Sequence, residues 1–189
     1  MKYAIGIDEV GRGSWAGPLL VVAARQKASL SLQLADSKKL SRIKRQSFMK
    51  HIKLSCDIGE GWVGAAEIDS LGLSAAMKLG VTRALGEISA RSEELIIMDG
   101  AINYCNLKFK NVRTIIKADA TYPIVSAASI HGKVTRDRYM SDLGAEYKLY
   151  SFEKHVGYGT KYHLDLLKIH GISNMHRRSF APIKALAVI

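Results

Sequence analysis

The residues best suited to chemistry in this chain are acidic, and they follow apolar runs. Ile7 leads into Asp8-Glu9, Met98 into Asp99, and Ile116 into Asp119 after two intervening residues. If these runs are strands of one sheet, their ends lie close together and four carboxylates can share one small cleft. Carboxylates crowded in this way repel and raise one another's pKa. Hard divalent cations remove that penalty, and Mg²⁺ prefers oxygen ligands while keeping several waters. Two such ions about 3.5–4 Å apart can activate a water and stabilise the leaving oxygen in phosphodiester hydrolysis. Taken singly, an Asp after a strand is commonly a turn residue, and Asp99-Gly100 alone is a turn signal. The adjacent Asp8-Glu9 is more distinctive, because it sits between an apolar run and Gly11-Arg12-Gly13.

The elements that must position these acids can be read from periodicity. Tyr3 to Asp8 alternates around Ile5 and Ile7, Leu19 to Ala24 is an apolar run of strand length, and Asp57 to Glu67 reads as a third strand. Leu95 to Met98 and Val112 to Ile116 complete a set of five. Ser41 is placed to cap a basic helix over Arg42–Ile52, with Ile43, Phe48 and Ile52 inward. Leu73, Ala76, Met77, Val81, Ala84, Leu85 and Ile88 recur at helical spacing. The last third reads as helical, with helices over Val125–Tyr139 and Thr160–His170, the second closed by Gly171. The expected class is α/β: a mixed sheet flanked by helices.

Composition sets the frame. The chain has 189 residues, 48% of them apolar, enough for one core and one domain over 1–189. With 28 Lys+Arg against 17 Asp+Glu, the formal net charge is +11, which suits a polyanionic partner. Cys56 and Cys105 are the only cysteines and form no C-x-x-C pair, which argues against a zinc site or a disulfide framework. No signal peptide or membrane-spanning run is evident, so a cytoplasmic protein with no membrane partner is expected. A non-catalytic nucleic-acid binder would fit the charge but leaves the strand-end acids unexplained.

Several segments in order carry a family likeness. Gly6-Ile7-Asp8-Glu9-Val10-Gly11-Arg12-Gly13 with Ala16-Gly17-Pro18 resembles the N-terminal signature of ribonuclease HII. Asp36-Ser37-Lys38-Lys39-Leu40-Ser41, Met98-Asp99-Gly100 and Lys117-Ala118-Asp119-Ala120 resemble later motifs of the same family. So do Val125 to Ile130, Lys133 to Arg138, His155 to Thr160 and His176 to Phe180. Lys117-Ala118-Asp119 with Tyr122-Pro123 looks closer to archaeal members than to common bacterial ones.

The resemblance implies a ribonuclease H-like five-stranded mixed sheet flanked by helices, with a helical C-terminal region over about 140–189 that binds substrate. It implies an endonuclease that cuts the RNA strand of RNA–DNA hybrids and incises 5′ of ribonucleotides embedded in duplex DNA, with Mg²⁺ or Mn²⁺, leaving a 3′-hydroxyl and a 5′-phosphate. By position, Asp8, Glu9, Asp99 and Asp119 match the four metal-binding acids. A monomer is expected. Asp137 reads as structural, its charge balanced by Arg136 and Arg138.

Glycines at 11 and 13 let a nucleic-acid backbone approach closely, while Arg12 can contact phosphate. The 2′-hydroxyl separates RNA from DNA at a single nucleotide. In the resembling family the Gly11-Arg12-Gly13 loop reads that hydroxyl and Tyr158 stacks on the next deoxyribose. Without the resemblance, the loop is an ordinary tight turn and Tyr158 a packing residue. Ser37, Lys39 and Ser126 are candidates for contacts to the nucleic-acid backbone. Lys38, Arg42, Lys44 and Arg45, with Lys154, Lys161, His176, Arg177 and Arg178, add general positive charge. The histidine spacings do not suit zinc, and oxygen-only ligation fits the chemistry better.

Overall fold

A computed structural model describes residues 4–30 and 42–186. Among them, β1 (Ile5–Val10), β2 (Leu19–Gln26), β3 (Cys56–Val63), β4 (Ile96–Asp99) and β5 (Val112–Ile115) form one sheet in the order β3-β2-β1-β4-β5. β1 pairs antiparallel with β2, and β2 with β3, whereas β1–β4 and β4–β5 are parallel. The parallel register sets Ile7 opposite Met98, so the residues that follow, Asp8 within β1 and Asp99 at the end of β4, fall side by side on neighbouring strands. Carboxyl ends of adjacent parallel strands are where open α/β sheets place ligands.

Alternation decides which face each side chain covers. Ile5, Ile7, Val21, Ala23 and Met98 pack on one side against Met77, Val81 and Leu85 of α3 (Leu73–Glu87). Leu20, Val22, Ala24 and Ile97 face the other side, against Val125, Ala127 and Ala128 of α4 (Pro123–Glu146) and Ile52 of α1 (Arg42–Ser55). β2 is therefore buried on both faces, which is why it reads as a continuous apolar run. A third cluster joins Ala16 to Met140, Phe152, Leu167 and Ile183. It anchors the helical C-terminal region: α5 (Phe152–His155), α6 (Lys161–His170) and α7 (Ala181–Leu186). Among the described residues, no helix is long and apolar enough to cross a membrane.

Most expected elements are present, with corrected boundaries: β1 runs through Asp8 and Glu9 to Val10 rather than stopping at Asp8, β2 runs on to Gln26 and α1 to Ser55. The third strand ends at Val63 rather than Glu67, because Glu67 reaches back to the Gly64 N–H at 2.9 Å and starts α2 (Ala65–Leu71). The fifth strand stops at Ile115, since Ile116 is exposed and Lys117 turns left-handed at φ 60°. The long helix starts at Pro123, whose missing N–H is harmless in the first turn, and runs on to Glu146. The helix expected over Thr160–His170 begins at Lys161, with Thr160 as its N-cap, the Thr160 Oγ1 accepting from the His163 N–H at 3.1 Å. Ser41 and the side chain of Ile43 lie outside the described residues.

Candidate active site

A cleft of about 480 Å³ opens at the ends of β1 and β4. Its acidic wall is Asp8, Glu9 and Asp99, and the Gly11-Arg12-Gly13 loop and Tyr158 form another part of its lining. Ser129 and Lys133 reach it from α4, and Arg45 from α1. Three of the four sequence-predicted acids, the Gly11–Gly13 loop and Tyr158 therefore line one cleft, although 150 residues of chain separate Asp8 from Tyr158.

Burial pushes the Asp8 carboxyl up to about 7, and the charges of Glu9 and Asp99 add to the rise. The Ser129 hydroxyl, hydrogen-bonded to Asp8, pulls in the opposite direction. Glu9 is also raised by burial, opposed by Arg12, whose guanidinium lies 3.4 Å from Glu9 Oε1. The cleft thus holds carboxylates that resist carrying their full charge alone.

Asp119 is placed differently from the other three acids. It lies in the single 3-10 turn Ala118–Ala120, is buried, and does not line the cleft. The turn is nevertheless fastened to the site, because the Ala118 N–H donates to Asp99 Oδ1 at 2.8 Å. Among the described residues, no three acidic, histidine or cysteine side chains close on one point as ligands of a single bound ion do. Mg²⁺ is compatible with such spacing, since it commonly binds through one or two carboxylates and retains its waters.

Three readings of polar residues are corrected. Ser126 is fully buried inside α4, so it offers nothing to a nucleic-acid backbone; Ser129, less than one turn along, is the serine that meets the cleft. Asp137 pairs with Lys133 at 2.8 Å rather than with its neighbouring arginines. Arg177 and His176 are buried rather than part of a solvated basic face, and Arg136 is buried too. Lys39 and Ser37 lie outside the described residues. Sequence reasoning missed Ser129 and Lys133 as cleft residues and gave Arg45 only a general positive charge; the i, i+4 spacing of Ser129 and Lys133 on one helix was the available signal.

The two glycines of the loop differ. Gly11 has φ 80°, and a Cβ there would overlap Arg136 Nε, so the fold itself requires glycine. At Gly13 a Cβ would meet nothing within 4 Å. Its side of the loop is open toward the cleft that it lines.

The family model for ribonuclease HII matches residues 5–183. Ribonuclease HII of Bacillus cereus is 43% identical over 187 residues, covering 97% of this chain and 71% of that protein. Among solved structures, ribonuclease H2 from Pyrococcus horikoshii superposes with a TM-score of 0.75 at 25% identity, covering 97% of this chain and 96% of that one. The RNase HII of Archaeoglobus fulgidus, solved with PCNA, gives 0.78 at 23% identity over 94% of this chain and 95% of that one. On this evidence the chain belongs to the ribonuclease HII family and is a ribonuclease H, a nuclease acting on RNA–DNA.

Proposed function

We propose that the chain is an endonuclease that hydrolyses the RNA strand of RNA–DNA hybrids and incises 5′ of single ribonucleotides in duplex DNA. The observation that carries this reading is the shared cleft: Asp8, Glu9 and Asp99 line the same cavity as Gly11, Arg12, Gly13 and Tyr158. A metal-dependent phosphodiesterase needs only the acids, and the loop and aromatic ring add a means of choosing the substrate.

Asp8, Glu9 and Asp99, with Asp119 behind them, are the residues that would hold Mg²⁺ or Mn²⁺. The donor set is all oxygen, which suits these ions over zinc or copper. The raised Asp8 carboxyl fits this role, because a nearby cation favours its charged form. When bound, a pair of such ions supplies an activated water and stabilises the leaving oxygen, consistent with a 3′-hydroxyl and a 5′-phosphate as products.

The chain's own residues do the rest. Ser129 holds Asp8 by a hydrogen bond. Lys133, paired to Asp137, brings positive charge to the cleft lining. The open backbone at Gly13 lets a ribose approach without a Cβ in the way. Tyr158 offers a ring on which the adjoining sugar can stack. One chain carries all of these parts, so the reading has it act as a monomer, with the region from about 140 onward contributing Tyr158 as its substrate-binding part.

The test is the product pattern on a labelled DNA duplex containing one ribonucleotide, beside a long RNA–DNA hybrid, each with Mg²⁺, with Mn²⁺ and with chelator. A single metal-dependent cut 5′ of the ribonucleotide is expected. No incision of that duplex, with the hybrid still cut, would remove the junction-reading claim and leave the hydrolase.

A further inference from the structure

Beneath the substrate-reading loop lie two arginines that the proposed chemistry does not use. Arg136, on α4, and Arg177, in the segment before α7, are both fully buried. All three nitrogens of each guanidinium donate to backbone carbonyls. Arg177 donates through Nη2 to Gly11 O at 2.7 Å, through Nη1 to Arg12 O at 2.8 Å, and through Nε to Gly17 O at 3.0 Å. Arg136 donates through Nε to Pro18 O at 2.8 Å, through Nη1 to Val156 O at 2.9 Å, and through Nη2 to Ala16 O at 3.3 Å. Its guanidinium also lies under the Tyr158 ring, 5.6 Å from the centroid.

Burying a cation is costly unless it is fully hydrogen-bonded. Two such cations side by side repel as well: burial, with the charge of Arg136 adding to it, pushes Arg177 down to about 9. A core built only for stability would fill this space with apolar side chains. What the arginines achieve instead is geometric. A planar fork that meets three carbonyls at once fixes their relative positions. Because the peptide unit is planar and trans, holding the Gly11 and Arg12 carbonyls on the guanidinium turns the Arg12 and Gly13 N–H groups the opposite way. Arg136 then ties the far end of the same loop, at Ala16 and Pro18, to Val156, two residues before Tyr158.

We infer that Arg136 and Arg177 are positioning residues for junction selection: together they set the distance and orientation between the Gly11–Gly13 backbone and the Tyr158 ring. This inference rests on the junction reading proposed above. The segment bearing Arg177 is itself held from α2, where Asp69 accepts from Arg178 N–H at 2.8 Å, from Ser179 N–H at 2.9 Å and from Ser179 Oγ at 2.6 Å. Asp69 lines no part of the cleft. It therefore gives a way to loosen Arg177 without touching the loop, Tyr158 or the acids.

The experiment compares kcat/KM on a one-ribonucleotide duplex with kcat/KM on a long hybrid for Arg136→Lys, Arg177→Lys, Asp69→Ala and Gly13→Ala, with a thermal melt for each. Lysine keeps the charge but cannot serve three carbonyls. Small misplacements of recognition groups cost up to 10²-fold, so the ratio of the two substrates is expected to fall about tenfold in the lysine variants, less in Asp69→Ala, with hybrid cleavage changed by less than about threefold. A purely structural role predicts equal loss on both substrates, tracking the melt, and that result would overturn the inference. If either lysine variant does not fold, Asp69→Ala decides, and an unchanged ratio there counts against the inference. If Gly13→Ala alone shifts the ratio, the junction reading stands and the arginine assignment falls. If Gly13→Ala leaves the ratio unchanged, it is the junction reading that fails.

Discussion

Asp99 Oδ1 accepts a hydrogen bond from the Ala118 N–H at 2.8 Å, and this bond joins the end of β4 to the turn that carries Asp119. The carboxylate therefore has two separable tasks, holding a turn and presenting negative charge. Asparagine at 99 keeps an acceptor oxygen for Ala118 and removes the charge. Asp99→Asn is accordingly expected to melt near the native temperature while losing roughly 10²-fold or more of metal-dependent cleavage. Asp8→Asn should show the same loss. Because Asp8 is buried with a carboxyl raised to about 7, its neutral variant should melt no lower than the native chain in the absence of metal at pH 8. Native-like cleavage by both purified variants would rule out the acid cluster as the metal site.

Gly11 and Gly13 should part company under the same substitution. Gly11→Ala places a methyl against Arg136 Nε and forces a left-handed backbone on a residue that resists it, a destabilisation of about 1–3 kcal/mol. Gly13→Ala meets no protein atom within 4 Å and should leave the melting temperature almost unchanged. It should nevertheless weaken incision of the one-ribonucleotide duplex, because the methyl occupies the open side of the loop. Melting curves and cleavage rates on the two variants separate these effects. Equal thermal losses at both positions would show that the loop is held differently.

Much of this site was legible because its acids follow apolar strands. β1, β2 and β4 announce themselves as short apolar runs, and Asp8, Glu9 and Asp99 sit where the apolar residues give out, inside β1 and at the last residue of β4. Asp119 follows a turn rather than a strand end, and only the fold shows that the turn hangs from Asp99. α2 was hidden because its N-cap is Gly64, which has no side chain to signal a helix start. The buried arginines were misread for a deeper reason. An isolated arginine codes for solvent, and what permits Arg177 to be buried is the backbone of Gly11, 166 residues away. No periodicity within one segment reports a hydrogen bond of that range.

The C-terminal region should lose stability in acid. His163 Nδ1 hydrogen-bonds the Tyr158 carbonyl at 3.0 Å, and its Nε2 lies 3.0 Å from His176 Nε2. His176 Nδ1 accepts from the Ser173 N–H at 2.9 Å, so a single shared proton between the Nε2 atoms satisfies both neutral rings. Burial pushes both imidazoles from 6.5 down to about 4, with the neighbouring histidines adding to the shift. The unfolded chain takes up these protons below about 6.5, whereas the folded one resists until about 4. Their contribution is thus fully present above pH 6.5 and is lost as pH falls toward 4, about 3 kcal/mol per ring. Thermal melts between pH 7.5 and 4.5 should show this fall, and His163→Phe should flatten it. A melting temperature independent of pH in that range would contradict the arrangement.

Tyr158 should act through its ring rather than its hydroxyl. The ring lines the cleft and rests over the Arg136 guanidinium at 5.6 Å, a contact that phenylalanine preserves and alanine removes. Its backbone is held independently, the N–H by His155 O at 2.9 Å and the carbonyl by His163 Nδ1. Removing the side chain therefore leaves the loop in place. Tyr158→Phe is expected to incise the one-ribonucleotide duplex within about twofold of the native rate, whereas Tyr158→Ala should lose about tenfold or more, the range seen when a stacking aromatic is truncated. Cleavage within a long hybrid, where no deoxyribose follows the cut, should fall less in the alanine variant. A phenylalanine variant as impaired as the alanine one would shift the role to the hydroxyl, and equal losses on both substrates would remove the ring from junction reading.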